Sequence, residues 1–145
     1  MKLRIAWIGK TKESAIQTLT AEYLKRIARY IPTESHELKN EQALLDLIAA
    51  ERTRPYVVLL DSRGKQLSSE ELAGFVSDHQ DRGTQTILLA IGPADGFSDA
   101  TRRAASFTLS FGKMTLAHEL ARVVLLEQIY RAFTIIKGHP YHTGH

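Results

Sequence analysis

Two short apolar runs constrain the fold of this chain more than any other feature. Residues 56–60 read YVVLL and follow Pro55, and residues 86–91 read TILLAI and follow the turn at Gly83. Unbroken runs of β-branched and apolar residues at strand length are typical of strands that are buried on both faces. Helices must then cover both faces of the sheet. The two runs therefore predict an α/β protein.

The segments around these runs alternate between strand and helix patterns. Further strands are predicted at 3–8, 107–110 and, as a weak polar edge strand, 33–38. Helical spacing of apolar residues predicts helices at 14–30, 41–51, 98–105 and 116–136, and Ser68 with Glu71 forms a capping box for another helix through His79. This alternation predicts a single domain over residues 1–145, built on a mostly parallel sheet that is flanked by helices.

The last predicted helix has clear boundary signals. Thr115 is the predicted N-cap, because its hydroxyl can accept a hydrogen bond from a first-turn N–H. Lys137, Gly138 and Pro140 predict its end: a cation at the negative end of the dipole, a glycine that tolerates positive φ, and a ring that cannot continue the helix. The broad apolar face of this helix predicts core packing and leaves surface for a partner helix.

Composition excludes several classes of protein. The chain of 145 residues contains no cysteine, which excludes disulfides, thiolate zinc sites and thiol nucleophiles. Its opening segment turns polar too early for a signal peptide, and no apolar run approaches the ~18 residues of a membrane span. We therefore expect a cytoplasmic protein with no membrane association. The net charge of +3 permits an anionic partner without requiring one.

Three loops that contain glycine follow predicted strands, at residues 61–65, 92–96 and 111–115. Ligands of parallel sheets bind beyond the carboxyl ends of the strands, so the three loops together predict a ligand site, although each alone is also typical of an ordinary turn. No GxGxxG motif follows a strand, and the GKM at Gly112 lacks the other residues of a Walker loop. Nucleoside triphosphates and dinucleotides are therefore not expected.

Histidine spacing gives little support for a metal site. His118 and Glu119 lack the second histidine of the metalloprotease motif. His139, His142 and His145 recur at every third position, which suits a metal only in an ordered tail, whereas terminal histidines are more often mobile. No metal is expected.

Basic residues cluster near the start of the chain. Lys25, Arg26 and Arg29 lie on the polar face of the first predicted helix, and Lys10 and Lys12 lie in the loop before it. A solvated helix face explains them, and a patch that contacts phosphates is the alternative.

Three motifs carry a resemblance to a known family. They are LLDSRGKQLSSEELA at residues 59–73, LLAIGPADG at 88–96, and LSFGKMTLAHELARVVLLEQIYRAFTIIKGHPYH at 109–142. On these motifs the whole chain resembles the ribosomal RNA large subunit methyltransferase H family, which are small enzymes of the SPOUT superfamily. The resemblance implies transfer of a methyl group from S-adenosylmethionine to N3 of a pseudouridine in 23S ribosomal RNA.

The resemblance also implies a fold and an assembly. The fold would be of the SPOUT type, with a C-terminal trefoil knot whose loops hold the cofactor. The protein would be a homodimer whose site is completed across the interface, acting on 23S ribosomal RNA within the ribosome. Cofactor contacts are implied for Leu60, Gly92, Pro93, Gly112, Lys113, Met114, Thr115, Leu116 and Ala117.

The chain departs from the family pattern at three places. Pro93 stands where a second glycine is usual, so that loop loses an N–H and some conformational freedom. Ala117 replaces a frequent proline at the start of the last helix, at little cost because either residue suits a first turn. Residues 143–145 lack the basic residue that usually follows Tyr141 and His142.

The tail supplies candidate catalytic groups for the implied reaction. Methyl transfer requires alignment of N3 with the methyl carbon and loss of the N3 proton. His142 is the candidate general base, and the alternative is that it only orders the tail or stacks on RNA. Tyr141 is a candidate for stacking on a base.

Two arginines of the last helix are candidates for binding anionic groups. Arg122 and Arg131 can neutralise phosphate or the charge that develops on the base. Arg131 is assigned to the RNA contacts. Alternatively, the two arginines can pair with Glu119 and Glu127. Two other functions stay open at this point: a non-catalytic module that binds RNA or the ribosome, and a SPOUT methyltransferase that acts on transfer RNA.

Overall fold

The computed structural model describes residues 1–142, with side chains through Tyr141. Strands and helices alternate along this part of the chain. In order they are β1 (Lys2–Ile8), α1 (Ser14–Ala28), β2 (Thr33–Leu38), α2 (Glu41–Ala49), β3 (Tyr56–Gln66), α3 (Ser69–Asp81), β4 (Thr86–Ile91), α4 (Asp99–Arg103), β5 (Phe107–Ser110) and α5 (His118–Lys137), followed by a 3₁₀ turn at Pro140–His142.

The strands form one five-stranded sheet in the order β2-β1-β4-β3-β5, and every neighbouring pair is parallel. The predicted α/β class is confirmed. Every residue of β4 is buried, as its apolar run predicts, and the polar β2 lies at an edge. Because all strands run in one direction, their carboxyl ends meet at a single edge of the sheet.

Helices cover both faces of the sheet. Leu3, Ile5 and Trp7 of β1 face a core that contains residues of α1, α3 and α5. Ala6 and Ile8 face a second core with residues of α2 and the loop before α4. Alternate residues of a strand point to opposite faces, so a continuous apolar run is needed to supply both cores. None of the helices in the described residues is long and apolar enough to cross a membrane.

Two helix boundaries form as the sequence predicts. Ser68 Oγ accepts from the Glu71 N–H at 3.0 Å, and the Glu71 carboxylate accepts from the Ser68 N–H at 2.8 Å, so the capping box of α3 is complete. Gly138 ends α5 with φ of 70°, a left-handed conformation that glycine adopts without a steric cost.

Two predicted boundaries are wrong. Thr115 does not cap α5: the N-cap is Ala117, which makes no side-chain hydrogen bond, and the helix begins at His118. Residues 61–66 are not simply a loop but continue β3, because after an irregularity between Leu60 and Lys65 the strand pairs again with β5. In both places the backbone lines a cavity at the edge of the sheet, and local sequence propensity does not predict such a cavity.

Gly64 lies where two segments of backbone come closest. A Cβ built on Gly64 would lie 2.6 Å from the carbonyl carbon and oxygen of Thr108 in β5. Side chains do not approach backbone at this distance, so only glycine fits between the continuation of β3 and β5. Glycine at this position therefore permits the close approach of β3 to β5.

Candidate active site

The carboxyl ends of β3, β4 and β5 open into one cavity of about 550 Å³. Segments that follow these strands form its walls, because parallel strands end at the same edge. The walls contain nearly all residues for which the sequence predicts cofactor contacts: Leu60, Gly92, Pro93, Gly112, Met114, Thr115, Leu116 and Ala117. Lys113 is exposed and does not line the cavity.

The segment from Ser110 to Ala117 forms one side of this cavity. Gly112 has φ of 121°, and Ser110 Oγ accepts from the Gly112 N–H at 3.0 Å and donates to the Gly112 carbonyl at 3.1 Å. A Cβ on Gly112 would contact nothing within 4 Å in the chain, so the space beside it is open. Met114 is 88% exposed, which leaves a large apolar side chain unburied at the mouth of the cavity.

The structure adds an ion pair to the cavity wall that the sequence analysis missed. Arg102 Nε donates to Asp61 Oδ2 at 3.1 Å, and Asp61 Oδ1 accepts from the Arg63 N–H at 2.9 Å. Burial raises the pKa of the Asp61 carboxyl, but the two hydrogen bonds and the arginine charges outweigh burial and leave this pKa below its ordinary value. The cavity therefore has an ionised carboxylate in its wall. The sequence signal that could have identified Asp61 is its position directly after the buried run at 56–60.

Arg122 is buried in α5, with 1% of its surface exposed. Its Nη1 donates to Thr11 Oγ1 at 2.6 Å, and its Nη2 donates to the carbonyls of Ile8 at 3.3 Å and Gly9 at 3.2 Å. The guanidinium carbon lies 5.5 Å from the centre of the Trp7 ring. The sequence analysis assigned this group to phosphate or to charge on the base. In the structure it instead fixes the loop after β1 to α5 and offers no surface to RNA.

Glu119 strengthens the same connection. Its Oε1 accepts from the backbone N–H of Lys12 at 2.9 Å and of Glu13 at 3.2 Å. These bonds satisfy donors just before α1, where Glu13 provides no side-chain cap. The predicted pairing of Glu119 with Arg122 is thus replaced by contacts from both side chains to the loop at residues 8–13.

The tail packs on the middle of α5. Tyr141 Oη donates to Glu127 Oε1 at 3.0 Å, and the Tyr141 ring meets the Tyr130 ring edge-on with 4.7 Å between centroids. Burial, together with hydrogen bonds to Tyr23 and Glu127, raises the pKa of the Tyr141 phenol well above its ordinary value. Tyr141 therefore stays protonated near neutral pH and acts as a donor, not as a base.

His139 and Tyr30 fix the start of the tail. Tyr30 Oη and His139 Nδ1 lie 2.5 Å apart, and the Tyr30 ring stacks on Phe133 with 5.7 Å between centroids. The side chain of His142, the predicted base, and all of His145 lie outside the described residues. Among the described residues no group of three His, Asp or Glu side chains is arranged to hold a metal ion.

Of the residues predicted to contact RNA, Arg26 and Arg131 form ion pairs with glutamates. Lys25 and Arg29 are exposed on α1. Arg26 forms an ion pair with Glu22 at 2.8 Å. Arg131 pairs with Glu127 at 2.5 Å, which is the alternative that helical spacing offered.

Known proteins resemble this chain in sequence and in fold. The family model described as "Predicted SPOUT methyltransferase" matches residues 1–142. The chain is 62% identical over 146 residues to the ribosomal RNA large subunit methyltransferase H of Koribacter versatilis (strain Ellin345), with all of both chains covered. The chain belongs to the ribosomal RNA large subunit methyltransferase H family. A second relative, the protein of this family from Geobacter sp. (strain M21), is 45% identical over 152 residues, covering 98% of the chain and 99% of the relative.

Solved SPOUT methyltransferases share the fold of this methyltransferase H family member. The tRNA (m1G37) methyltransferase from Aquifex aeolicus aligns with a TM-score of 0.61 at 14% identity, covering 90% of the chain and 70% of that structure. The SpoU methyltransferase AviRb from Streptomyces viridochromogenes, solved in complex with the cofactor AdoMet, aligns with a TM-score of 0.52 at 15% identity, covering 93% and 61%. At these identities the likeness shows the fold alone.

For a chain of the methyltransferase H family, the structure groups the predicted residues into two places. The predicted cofactor residues other than Lys113 line one cavity at the first turn of α5. The predicted tail residue Tyr141 contacts Glu127, which lies six residues along α5 from Ala121 in the cavity wall. At 1.5 Å per residue this separation is about 9 Å. Within one chain, the tail and the cavity are therefore apart.

Proposed function

We propose that this chain transfers a methyl group from S-adenosylmethionine to N3 of a pseudouridine in 23S ribosomal RNA of the large ribosomal subunit. The observation that carries this proposal is the cavity at the ends of β3, β4 and β5, which gathers eight of the nine residues predicted to contact the cofactor. Those residues were named from the sequence motifs, and the fold brings them together from three separate segments. Membership of the methyltransferase H family supports the ribosomal substrate.

The residues of the cavity fit this cofactor. Leu60, Met114 and Leu116 offer apolar surface to the adenine faces, and the backbone beside Gly112 is open to close approach. The ionised Asp61 carboxylate is paired with Arg102, so the apolar side chains and the open backbone carry the fit to the cofactor. The bound cofactor would supply a methyl group on a positively charged sulfur. Since this displacement is in-line, the main task of the protein is to hold N3 of the base opposite that methyl group.

We propose that the tail removes the proton from N3. His142 is the proposed general base, because an unperturbed imidazole titrates near neutral pH. The Tyr141 phenol stays protonated and is bonded to Glu127, so it is unsuited to that role. Tyr141 instead holds the tail on α5 through its contacts with Tyr130 and Glu127. The proposed role of Arg122 is to position the loop after β1.

A homodimer would bring the tail to the cavity. In one chain the contact of Tyr141 with Glu127 lies about 9 Å along α5 from the cavity wall, and we propose that the tail of a second copy supplies the groups that act at this cavity. Leu19 of α1 and Leu120 of α5 are 43% and 44% exposed, which is consistent with an interface on these helices. We propose that each site combines the cavity of one chain with the tail of the other.

The proposed substrate is the 23S RNA within the large subunit of the ribosome, in the cytoplasm. Exposed Lys25 and Arg29 are the proposed phosphate contacts, because neither forms an ion pair among the described residues. Arg26 and Arg131, each paired with a glutamate, would contact RNA only by exchanging those partners. We also propose the SPOUT knot, which the match of the chain to the SPOUT methyltransferase family supports.

Mass spectrometry of ribosomal RNA tests the reaction, base and position together. RNA from cells that lack this protein should lose one methyl group at a pseudouridine of 23S RNA, and the purified protein with S-adenosylmethionine should restore that group on isolated large subunits. Restoration on transfer RNA alone would replace the proposed substrate. No binding of S-adenosylmethionine at millimolar concentration would favour a non-catalytic RNA-binding module.

A further inference from the structure

A second cavity of about 330 Å³ adjoins the proposed cofactor cavity. Leu109, Phe111 and Gly112 line both, so the two spaces share the end of β5 and the residues that follow it as a common wall. The other walls come from the ends of β3 and β5, the start of α3 and the middle of α5. They are Gln66, Leu67, Ser68, Ser69, Leu72, Ser110, Val124 and Gln128.

The chemistry of this lining differs from that of the cofactor cavity. Among the described residues, none that lines the second cavity is charged. Its polar groups are the amides of Gln66 and Gln128 and the hydroxyls of three serines, which can donate and accept hydrogen bonds. A charged ligand such as phosphate would find no counter-charge here, whereas a neutral ligand with both donors and acceptors would be matched.

The lining also contains an aromatic surface. Phe111 is 36% exposed although it is a large apolar residue, and it lies in the segment that separates the two cavities. Exposed aromatic rings beside neutral amides are the groups with which proteins stack and hydrogen-bond unpaired nucleobases. Gln128 is held in place, since its Oε1 accepts from Ser69 Oγ at 2.7 Å and its Nε2 donates to Glu127 Oε2 at 3.0 Å, which leaves the second Nε2 hydrogen and the second lone pair of Oε1 for a ligand.

We infer that the second cavity binds a nucleobase of the substrate RNA next to the cofactor. This inference rests on the proposed function, because it takes the occupant of the neighbouring cavity to be S-adenosylmethionine and the substrate to be RNA. A base stacked against Phe111 and hydrogen-bonded to Gln66 and Gln128 is separated from the cofactor by a single chain segment. Such a contact would orient the RNA strand for methyl transfer.

Uridine is a direct probe of this cavity. The cofactor cavity is first filled with S-adenosylhomocysteine, and its binding is measured by calorimetry. Uridine is then titrated while the side-chain amide signals of Gln66 and Gln128 are followed by nuclear magnetic resonance. Both signals should shift at millimolar uridine and not with ribose 5-phosphate. Equal shifts with both compounds, or no shift, would overturn the inference.

Substitution at residues that line only the second cavity gives a kinetic test. The double variant Gln66→Met and Gln128→Met keeps side-chain length and should raise KM for large ribosomal subunits about tenfold, as expected for two lost hydrogen bonds, with unchanged affinity for S-adenosylmethionine. Gln80→Met, on the exposed surface of α3, is the matched control and should behave as the parent. A double variant with the KM of the control would overturn the inference. If the parent itself fails to methylate the subunits, it is the proposed function that fails, and the uridine titration still tests the cavity.

Discussion

The two ends of α5 differ in how the chain fills the space around them. At the first turn, Ala117 gives no side-chain cap, Met114 is exposed and the backbone at Gly112 faces open space. From the middle of α5 to its end, Glu127, aromatic rings and the left-handed Gly138 fix the tail on the helix. The open end is suited to binding a ligand, and the packed end is suited to holding the tail in a defined position. We infer that the cofactor binds at the start of α5 and that the tail, which is held on the rest of α5, carries out proton transfer.

Removal of the tail should separate these functions with the largest effect. A chain that ends after Pro140 keeps Gly138 as the cap of α5 and every described residue of the cofactor cavity. Its affinity for S-adenosylmethionine should match the parent in calorimetry. Methyl transfer should fall by ~10²- to 10⁴-fold, as expected for loss of a positioned base. An unchanged rate of transfer would remove the tail from the mechanism.

His142→Ala should reproduce most of that loss. The defect should become smaller as pH rises, because hydroxide can then remove the N3 proton. The pH profile of single-turnover transfer, compared between His142→Ala and the parent, measures this effect. A defect that is constant with pH would assign His142 to ordering of the tail or to stacking on RNA.

Glycines with positive φ flank α5 and allow a matched comparison. Gly112→Val places a branched side chain in the open space of the cavity, at a φ of 121° that strains any side chain, and should lower S-adenosylmethionine affinity at least tenfold. Gly138→Ala should instead cost about 1 kcal/mol of stability through the strained φ, with unchanged cofactor affinity. Calorimetry and urea denaturation on both variants give the two quantities. Equal cofactor affinities would contradict the assignment of the open end to binding.

The contact between β3 and β5 should be sensitive at Gly64. A Cβ there would lie 2.6 Å from the Thr108 backbone, so Gly64→Ala should destabilise the fold by about 1–3 kcal/mol. Gly74→Ala is the control: a Cβ there meets nothing within 4 Å, and within α3 it should stabilise by about 0.5–1 kcal/mol. If Gly64→Ala and Gly74→Ala moved the denaturation midpoint in the same direction, the contact of Gly64 with the Thr108 backbone would not be close enough to exclude a side chain.

The smallest effect concerns acid stability, away from both ends of α5. Burial lowers the pKa of His79, whose Nδ1 lies 2.8 Å from Thr84 Oγ1 and whose ring contacts Tyr56. The unfolded chain therefore takes up the proton first, so the contribution of His79 to stability is present above about pH 6.5 and is lost as pH falls toward the lowered folded pKa. His79→Gln should lose less stability than the parent between pH 7 and 5. Parallel pH profiles would contradict this assignment.

The contrast between the two ends also explains what the sequence could predict. Apolar patterns identified the buried strands and the sheet class, the polar run at 33–38 was predicted as a weak edge strand, and Ser68 with Glu71 predicted the start of α3, because these signals are local. The family motifs named the cofactor residues. The role of Arg122 and the pair of Asp61 with Arg102 were missed, since their partners are brought together only by the fold. Thr115 was misassigned as a cap because local propensity cannot show that residues 112–117 follow a cavity wall.

Subunit mixing tests most directly whether the two ends of α5 act together across a dimer. Gly112→Val damages the cavity and keeps the tail, and the chain that ends after Pro140 keeps the cavity and lacks the tail. Each protein alone should be nearly inactive on large ribosomal subunits. After unfolding and refolding of an equal mixture, half of the dimers would be mixed and each would hold one complete site, so transfer should recover to about a quarter of the parent rate. A mixture that stays as inactive as its components would contradict a site built from two chains.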